Sequence, residues 1–205
     1  MIRKSRAASA YRRTWLAGLA VALAVVGAAA SVSGQRPAAQ EIENFGKVND
    51  NYYRGGQPRA EHYGELRRMG IKTVIDLRKD SKREAPEWAR AAGLNYINLP
   101  LVASKPATEE QTTEFLKLVN DPNNWPVYVH CKGGRHRTGA LTAIYRITND
   151  GWTADQAFDE MLKYDFDNGS NIGGMLGGGG RARQKRFVYA YYERHASAKD
   201  PARGN

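Results

Sequence analysis

Residues 127–139 read VYVHCKGGRHRTG, and Cys131, the only cysteine of the 205-residue chain, stands in the middle of them. A short apolar run precedes it and a glycine-rich, basic loop follows. A free cysteine is most often a small buried hydrophobe. The neighbours here suit a second role, that of a nucleophile. Backbone N–H groups of a glycine-rich loop converge into a nest, and a helix starting directly after the loop aims its positive end at the same point. A phosphate is stabilised in such a place, and so is a thiolate. Arg137 adds a planar fork that matches two phosphate oxygens. The Thr138 hydroxyl is placed to donate to the sulfur and make it a better leaving group.

A strand must deliver this cysteine and a helix must face it. Residues 126–130 (PVYVH) read as the strand and 138–150 as the helix. Around them the chain alternates. Residues 51–58 (NYYRGGQP) begin as a strand and end in a turn; 71–77 (IKTVIDL) and 94–99 (LNYINL) read as further strands. Helical segments are expected at 60–70, 83–93, 107–120 and 153–164, with a long one from about 181 to 195. Thr108 with Gln111, and Thr153 with Gln156, match capping boxes. The glycine-rich patch 169–180 reads as a flexible connection between helices, or as a loop that closes near the site. Alternation of this kind implies an α/β fold, a central mostly parallel sheet flanked by helices.

His130, Cys131, Gly134, Arg137, Thr138 and Gly139 match the string H-C-x-x-G-x-x-R-[ST]-G. This resembles the cysteine-dependent protein tyrosine and dual-specificity phosphatase superfamily. The stretches YYRGGQP, VIDLR, INLPL and WPVYVHC are similar to landmarks of its compact, atypical bacterial, plant and fungal members, over roughly residues 44–165. The resemblance implies a phosphomonoester hydrolase. Cys131 would attack phosphorus and form a phosphocysteine, Arg137 and the loop amides would stabilise the transition state, and water would release phosphate. His130 would support the loop through its ring hydrogen bonds. No metal or other cofactor is required, and the sequence has no ligand cluster for one.

The expected default is a tyrosine or dual-specificity protein phosphatase. The phosphate-binding positions Lys132, Gly133, Gly134, Arg135 and His136 add a second clue, because two cations and a titratable ring would surround the anion. Similar basic loops occur in tensin-type phosphoinositide phosphatases and in atypical phosphatases of inositol pyrophosphates. Hydrolysis of inositol polyphosphates, inositol pyrophosphates or phosphoinositides is therefore the alternative. If Lys132 and Arg135 point to solvent, that clue disappears. Arg54, Gln57 and Arg78 are candidates for the pocket rim, or else hold loops together.

One part of the family pattern is missing. The loop after INLPL usually carries an aspartate general acid, and here it reads VASKPAT. Glu109, Glu110, Asp165, Asp167 and Asp80 are the substitutes the sequence offers. For Glu109 and Glu110 the first turn of a helix is reason enough. Without a proton donor, leaving groups of low basicity are favoured. A phenol has a pKa of about 10 and a phosphate a second pKa of about 6, whereas a serine alkoxide needs the proton most. Two other classes share parts of the pattern, sulfur transfer from a lone cysteine and a module that binds phosphate without turnover.

Composition sets the remaining bounds. Of 31 Lys and Arg, five lie before residue 35 with no acid among them, which leaves 26 against 21 Asp and Glu, a net +5. That suits an anionic substrate, a phosphorylated protein or small molecule, and no nucleic-acid motif accompanies it. Residues 1–33 read as an export signal or N-terminal anchor, with a basic start, an apolar run at 15–30 and then small residues. The run is shorter than the ~20 residues of a stable span. Residues 12–16, RRTWL, look like a twin-arginine signal. The expected address is periplasmic or secreted, with membrane contact only if the leader stays as an anchor. Residues 34–44 read as a linker, 45–198 as the phosphatase domain and 199–205 as a tail. A lone cysteine in that oxidising compartment has no partner within the chain for a disulfide.

Overall fold

The computed structural model describes residues 41–167 and 174–199, with side chains in the last helix over 181–195. The leader 1–33, linker residues 34–40, residues 168–173 and the tail beyond 199 lie outside the described residues. Five strands are described: β1 Gly46–Asn49, β2 Tyr52–Gly55, β3 Thr73–Arg78, β4 Asn95–Leu101 and β5 Val127–His130. The helices are α1 Ala60–Arg68, α2 Ala85–Ala91, α3 Glu109–Asn120, α4 Arg137–Asn149, α5 Ala154–Lys163 and α6 Gly174–Lys199. Both capping boxes form, on Thr108 for α3 and on Thr153 for α5.

The sheet order is β1-β2-β5-β3-β4. β5 runs parallel to β2 on one side and to β3 on the other, β3 is parallel to β4, and only β1 is antiparallel. The chain thus builds β2, β3 and β4 outward and returns β5 to the gap. In open α/β sheets, ligands bind beyond the carboxyl ends of strands at such a switch point. Cys131 follows the carboxyl end of that central strand.

Alternation divides the core between the two faces of the sheet. Val127 and Val129 join Ile75, Leu77, Phe115, Leu141 and Tyr145 beneath α3 and α4. Tyr128 joins Val74, Tyr63, Leu66, Ala89 and Leu94 beneath α1 and α2. A third cluster packs α4 against α5 and α6 through Ile144, Ile147, Met161, Phe166 and Val188. Full burial of a Val, Leu or Ile contributes about 1.5–3 kcal/mol, so β5 is fixed from both sides and its last residue has little freedom.

Three boundaries differ from the sequence reading. β1 was not expected, because GKVN carries a single buried apolar residue, Val48, and its pairing comes from β2. Residues 41–44, read as the end of a linker, are packed into the domain. Ile42 is buried in the cluster under α1 and α2, and its neighbours touch the cysteine loop. The helix expected from about 181 begins at Gly174, so much of the glycine patch is helical rather than a flexible connection. Each glycine costs about 1 kcal/mol in a helix. Propagation from a packed downstream turn avoids the nucleation cost that a free-standing segment would face. Among the described residues no helix is long and apolar enough to cross a membrane.

Candidate active site

Cys131 is buried at 4% exposure among the residues under α3 and α4. Burial alone suits a core thiol as well as a nucleophile, so the loop must decide. Among the described residues, no protein acceptor takes the backbone N–H groups of residues 132–136. Polar groups of this kind are normally paired. Here they form a set of open donors between the end of β5 and the first turn of α4. Gly134 has φ +68 and makes the turn that reverses the loop. Arg137 opens α4 at 7% exposure; its Nη1 donates to the Leu101 carbonyl at 3.1 Å and lies 3.7 Å from Asp80 Oδ1. Thr138 is fully buried, and its Oγ1 has no partner among the described protein atoms. Cysteine, donors, guanidinium and hydroxyl therefore belong to one turn of chain.

The turn after β2 holds this loop from behind. Gly134 lies against Gly55 and Gly56 so closely that a Cβ would fall 2.5 Å from the Gly55 carbonyl carbon. Arg54 Nη2 donates to the Gly134 carbonyl. Gln57 N donates to the Lys132 carbonyl at 3.0 Å, and Tyr128 Oη donates to the Gly56 carbonyl at 2.6 Å. Residues 43 and 44 complete the hold. Asn44 Nδ2 donates to the Gly133 carbonyl at 2.8 Å, and Gly56 N donates to the Glu43 carbonyl at 2.6 Å. Sequence reading missed Glu43, Asn44 and Tyr128, because nothing local ties a pre-strand segment or a strand tyrosine to a loop so far along the chain.

A polar network lies under β3 and β5. His130 Nδ1 is 3.3 Å from the Cys131 carbonyl and 3.9 Å from Asp76, and its ring stacks on Tyr128. Burial, which outweighs the Asp76 charge, pushes its pKa down to about 4. The ring is neutral at pH 7 and donates from Nδ1. Burial also works against the Asp76 carboxylate, but the Arg78 hydrogen bonds, with His130 and the Tyr96 hydroxyl beside them, hold its pKa below the ordinary value. Arg78 makes a fork with Asp76 and gives Nη1 to Gln57 Oε1 at 2.7 Å. Arg54 and Arg78, read as rim candidates, are buried at 0% and 3% exposure. They are committed to loop carbonyl and carboxylate partners and do not face an open rim.

The loop's extra charge is distributed differently from the sequence expectation. Arg135 pairs with Glu43. His136 Nε2 donates to the Phe166 carbonyl at 3.0 Å, and its ring meets the Phe166 ring edge-on. Burial lowers the His136 pKa against the Phe166 hydrogen bond. Lys132 is exposed, and among the described residues it makes no ion pair. Among the described residues one loop cation is left without an ion pair, where the sequence suggested two cations and a titratable ring.

The acid candidates also separate. Glu109 and Glu110 are exposed in the first turn of α3, where backbone and Thr108 hydrogen bonds hold Glu110 below its ordinary pKa. Asp165 sits at φ +58 past α5, and the Asp167 carbonyl accepts from Arg181. Asp80 lies beside Arg137, with Oδ1 3.7 Å from Nη1. The loop where the acid was expected is pinned to α6, with Arg183 Nε on the Ser104 carbonyl at 3.2 Å and Gln184 Nε2 on the Lys105 carbonyl at 3.1 Å. Among the described residues no group of three or more His, Cys, Asp or Glu could hold a metal ion.

Comparison with known proteins places this geometry. Residues 28–172 match the family described as "DSP-PTPase phosphatase fused to NAD+ Kinase". The dual specificity protein phosphatase TpbA of Pseudomonas aeruginosa is 32% identical over 143 residues, 68% of this chain and 64% of TpbA. Its crystal structure superposes with a TM-score of 0.58 at 26% identity, covering 77% of this chain and 92% of that one. Inositol diphosphatase DSP2 of Oryza sativa is 30% identical over 59% of this chain and 61% of its own length. The catalytic core of the PP-IP phosphatase SIW14 of S. cerevisiae shares the fold, with a TM-score of 0.62 at 23% identity over 78% of this chain and 94% of that one. The chain spans just under two thirds of the length of TpbA and of the rice protein. With more than half of its own length matched to the family, the chain belongs to the cysteine-dependent dual-specificity phosphatases.

Proposed function

We propose that the protein hydrolyses phosphate monoesters through a phosphocysteine, with phosphotyrosine proteins as its first substrate class. The set of open N–H groups at residues 132–136, between the Cys131 strand and the Arg137 helix, carries this reading. The Cys131 thiolate attacks phosphorus and the P–O bond to the leaving group breaks. The loop amides and the Arg137 fork stabilise the equatorial oxygens as charge builds on them. Water then attacks the same phosphorus, the S–P bond breaks, phosphate departs and the thiolate is restored. The Thr138 hydroxyl donates to the sulfur as it leaves.

Substrate class follows from charge and from the proton supply. Arg135 is neutralised by Glu43 and His136 is held by Phe166, which suits one phosphate better than several. Residues 102–107 bring no carboxylate, which disfavours alkoxide leaving groups. TpbA has been solved in complex with phosphotyrosine. A second reading, cleavage of an inositol pyrophosphate, is favoured by the unpaired Lys132 and by a leaving phosphate's low need for a proton.

Phosphate release tests this, with phosphotyrosine peptide, phosphoserine peptide, inositol hexakisphosphate, an inositol pyrophosphate and a phosphoinositide, and with Cys131→Ser as the blank. Phosphotyrosine is expected to exceed phosphoserine by about ten-fold or more. Preference for the pyrophosphate would replace the first reading with the second. Absence of Cys131-dependent release from every compound would leave a phosphate-binding module. Asp80→Asn adds an arm: loss confined to poor leaving groups would make Asp80 the proton donor, and an equal loss on all would not.

A further inference from the structure

Three successive carbonyls of the cysteine loop are each tied by a hydrogen bond. Gln57 N donates to the Lys132 carbonyl at 3.0 Å, Asn44 Nδ2 to the Gly133 carbonyl at 2.8 Å, and Arg54 Nη2 to the Gly134 carbonyl. A trans peptide unit is planar, and its C=O and N–H point in opposite directions. Each tie therefore turns the N–H of the following residue, Gly133, Gly134 or Arg135, away from the donor that makes it. These are three of the open donors on which a phosphate would rest. Two of the ties come from a backbone amide and from a fully buried guanidinium. The third comes from a neutral side chain ahead of β1, and it alone is removable without disturbing a backbone group or a buried charge.

Asn44 stands in a tight turn. Phe45 N donates to the Ile42 carbonyl at 3.2 Å, and Asn44, third of the four residues, has φ +54. Glycine or asparagine usually fills such a position. The turn is anchored at both ends. Ile42 is buried under α1 and α2, and the Phe45 ring stacks on Tyr53 and Tyr128 with centroids 6.2 and 6.0 Å away. Gly56 N holds the Glu43 carbonyl at 2.6 Å. The Asn44 amide is thus carried on a fixed frame. The backbone alone would be served by glycine, which brings no donor to the loop.

We propose that Asn44 is a positioning residue of the phosphate loop, which aims the Gly134 N–H at the phosphoryl group by holding the Gly133 carbonyl. The inference rests on the reading of this loop as a phosphate site. It adds that the segment before the first strand, 89 residues from Gly133 in the chain, sets the direction of a donor in the site. A misaimed N–H is felt most as charge builds on the equatorial oxygens in the transition state, so the loss belongs mainly to kcat.

Two variants of the full chain test this. Asn44→Gly keeps the turn and removes the donor. Asn44→Asp keeps the turn and the shape but sets a carboxylate against the Gly133 carbonyl. Turnover of p-nitrophenyl phosphate, tungstate binding by titration calorimetry and melting temperature are measured for each. Asn44→Gly should lower kcat about five- to ten-fold, the worth of one neutral hydrogen bond, with KM within about two-fold of wild type. Tungstate should bind more weakly, and both losses should be larger in Asn44→Asp. Wild-type kcat and tungstate affinity in Asn44→Gly would leave Asn44 as a turn residue and overturn the proposal. A loss confined to KM would overturn it too. If Asn44→Gly does not fold, Asn44→Asp is judged by the same measures, and failure of both to fold would assign Asn44 to structure alone. A wild-type chain that binds tungstate but releases no phosphate would defeat the proposed function, and the tungstate comparison would still judge Asn44. A wild-type chain that binds no tungstate would defeat both.

Discussion

Replacing Gly134 by Ala tests the geometry of the loop most directly. At φ +68 an L-residue costs about 1–2 kcal/mol through the contact between its Cβ and its own backbone. The new Cβ would also meet Gly55 C at 2.5 Å, Gly55 O at 2.7 Å and Gly56 N at 2.7 Å. All three are backbone atoms of a turn that is itself held by Tyr128 and by residue 43. Neither side can yield by a rotamer change, so the loop must move away from the β2 turn and its N–H groups must lose their common focus. One misplaced donor of this type costs about 10²–10³ in rate. Gly134→Ala is therefore expected to lose at least about 10² in kcat/KM on p-nitrophenyl phosphate. About 2 kcal/mol of destabilisation lowers the melting temperature by roughly 4–8 °C in a domain of this size. Gly133→Ala is the control. Its Cβ would meet only the ends of Glu43 and Arg135, at 3.3 and 3.8 Å, and a loss below about ten-fold is expected. Wild-type turnover in Gly134→Ala would refute the argument, as would equal losses in the two variants.

Two further outcomes follow from charges around the loop. Between pH 6.5 and 4 the unfolded chain protonates His130, whereas the folded chain, with a pKa of about 4 there, does not. The unfolded state then holds more protons, so stability falls as pH falls across this window, by about 3 kcal/mol at most. Asp76, held below the ordinary carboxylate value, loses its contribution only at still lower pH. Urea unfolding at pH 4.5, 5.5 and 7 should show that slope flattened in His130→Asn; an unchanged slope would rule His130 out as its source. Glu43→Gln releases Arg135 from its ion pair and should raise turnover of inositol pyrophosphate relative to phosphotyrosine peptide several-fold. A constant ratio would show that Arg135 does not face the substrate.

The parts legible in the sequence are those where one segment carries its own signal. β3, β5 and the capped helices α3 and α5 were readable because β-branched runs and Thr-x-x-Gln boxes report local conformation. That Cys131, Gly134, Arg137 and Thr138 stand together was readable because one turn of chain carries all four. β1 was not, since an edge strand with one buried apolar residue is defined by its partner. The Glu43–Arg135 pair spans 92 residues and the Arg54–Gly134 bond spans 80, and periodicity carries no trace of either. The misjudged cations have the same origin. Sequence counts Lys132, Arg135 and His136 as three basic neighbours of a phosphate, but tertiary contacts from residues 43 and 166 withdraw two of them.

That withdrawal connects to the missing acid. A site for several phosphates needs cations spread around the rim, and a site for a poorly leaving alkoxide needs a proton donor on a loop that reaches the ester oxygen. Among the described residues this site has one loop lysine without an ion pair, and residues Ser104 and Lys105 are fastened by their carbonyls to α6. Its strongest charges are instead internal: Arg137 at the helix start and Arg54 behind Gly134. Charge held inside the loop acts on the equatorial oxygens in the same way for every ester, so it gives rate without selecting the rest of the substrate. Selection is then left to the leaving group. An aryl oxygen or a phosphate departs with little help, and a serine alkoxide does not. The arrangement of charge therefore predicts discrimination by leaving-group basicity more strongly than by peptide sequence.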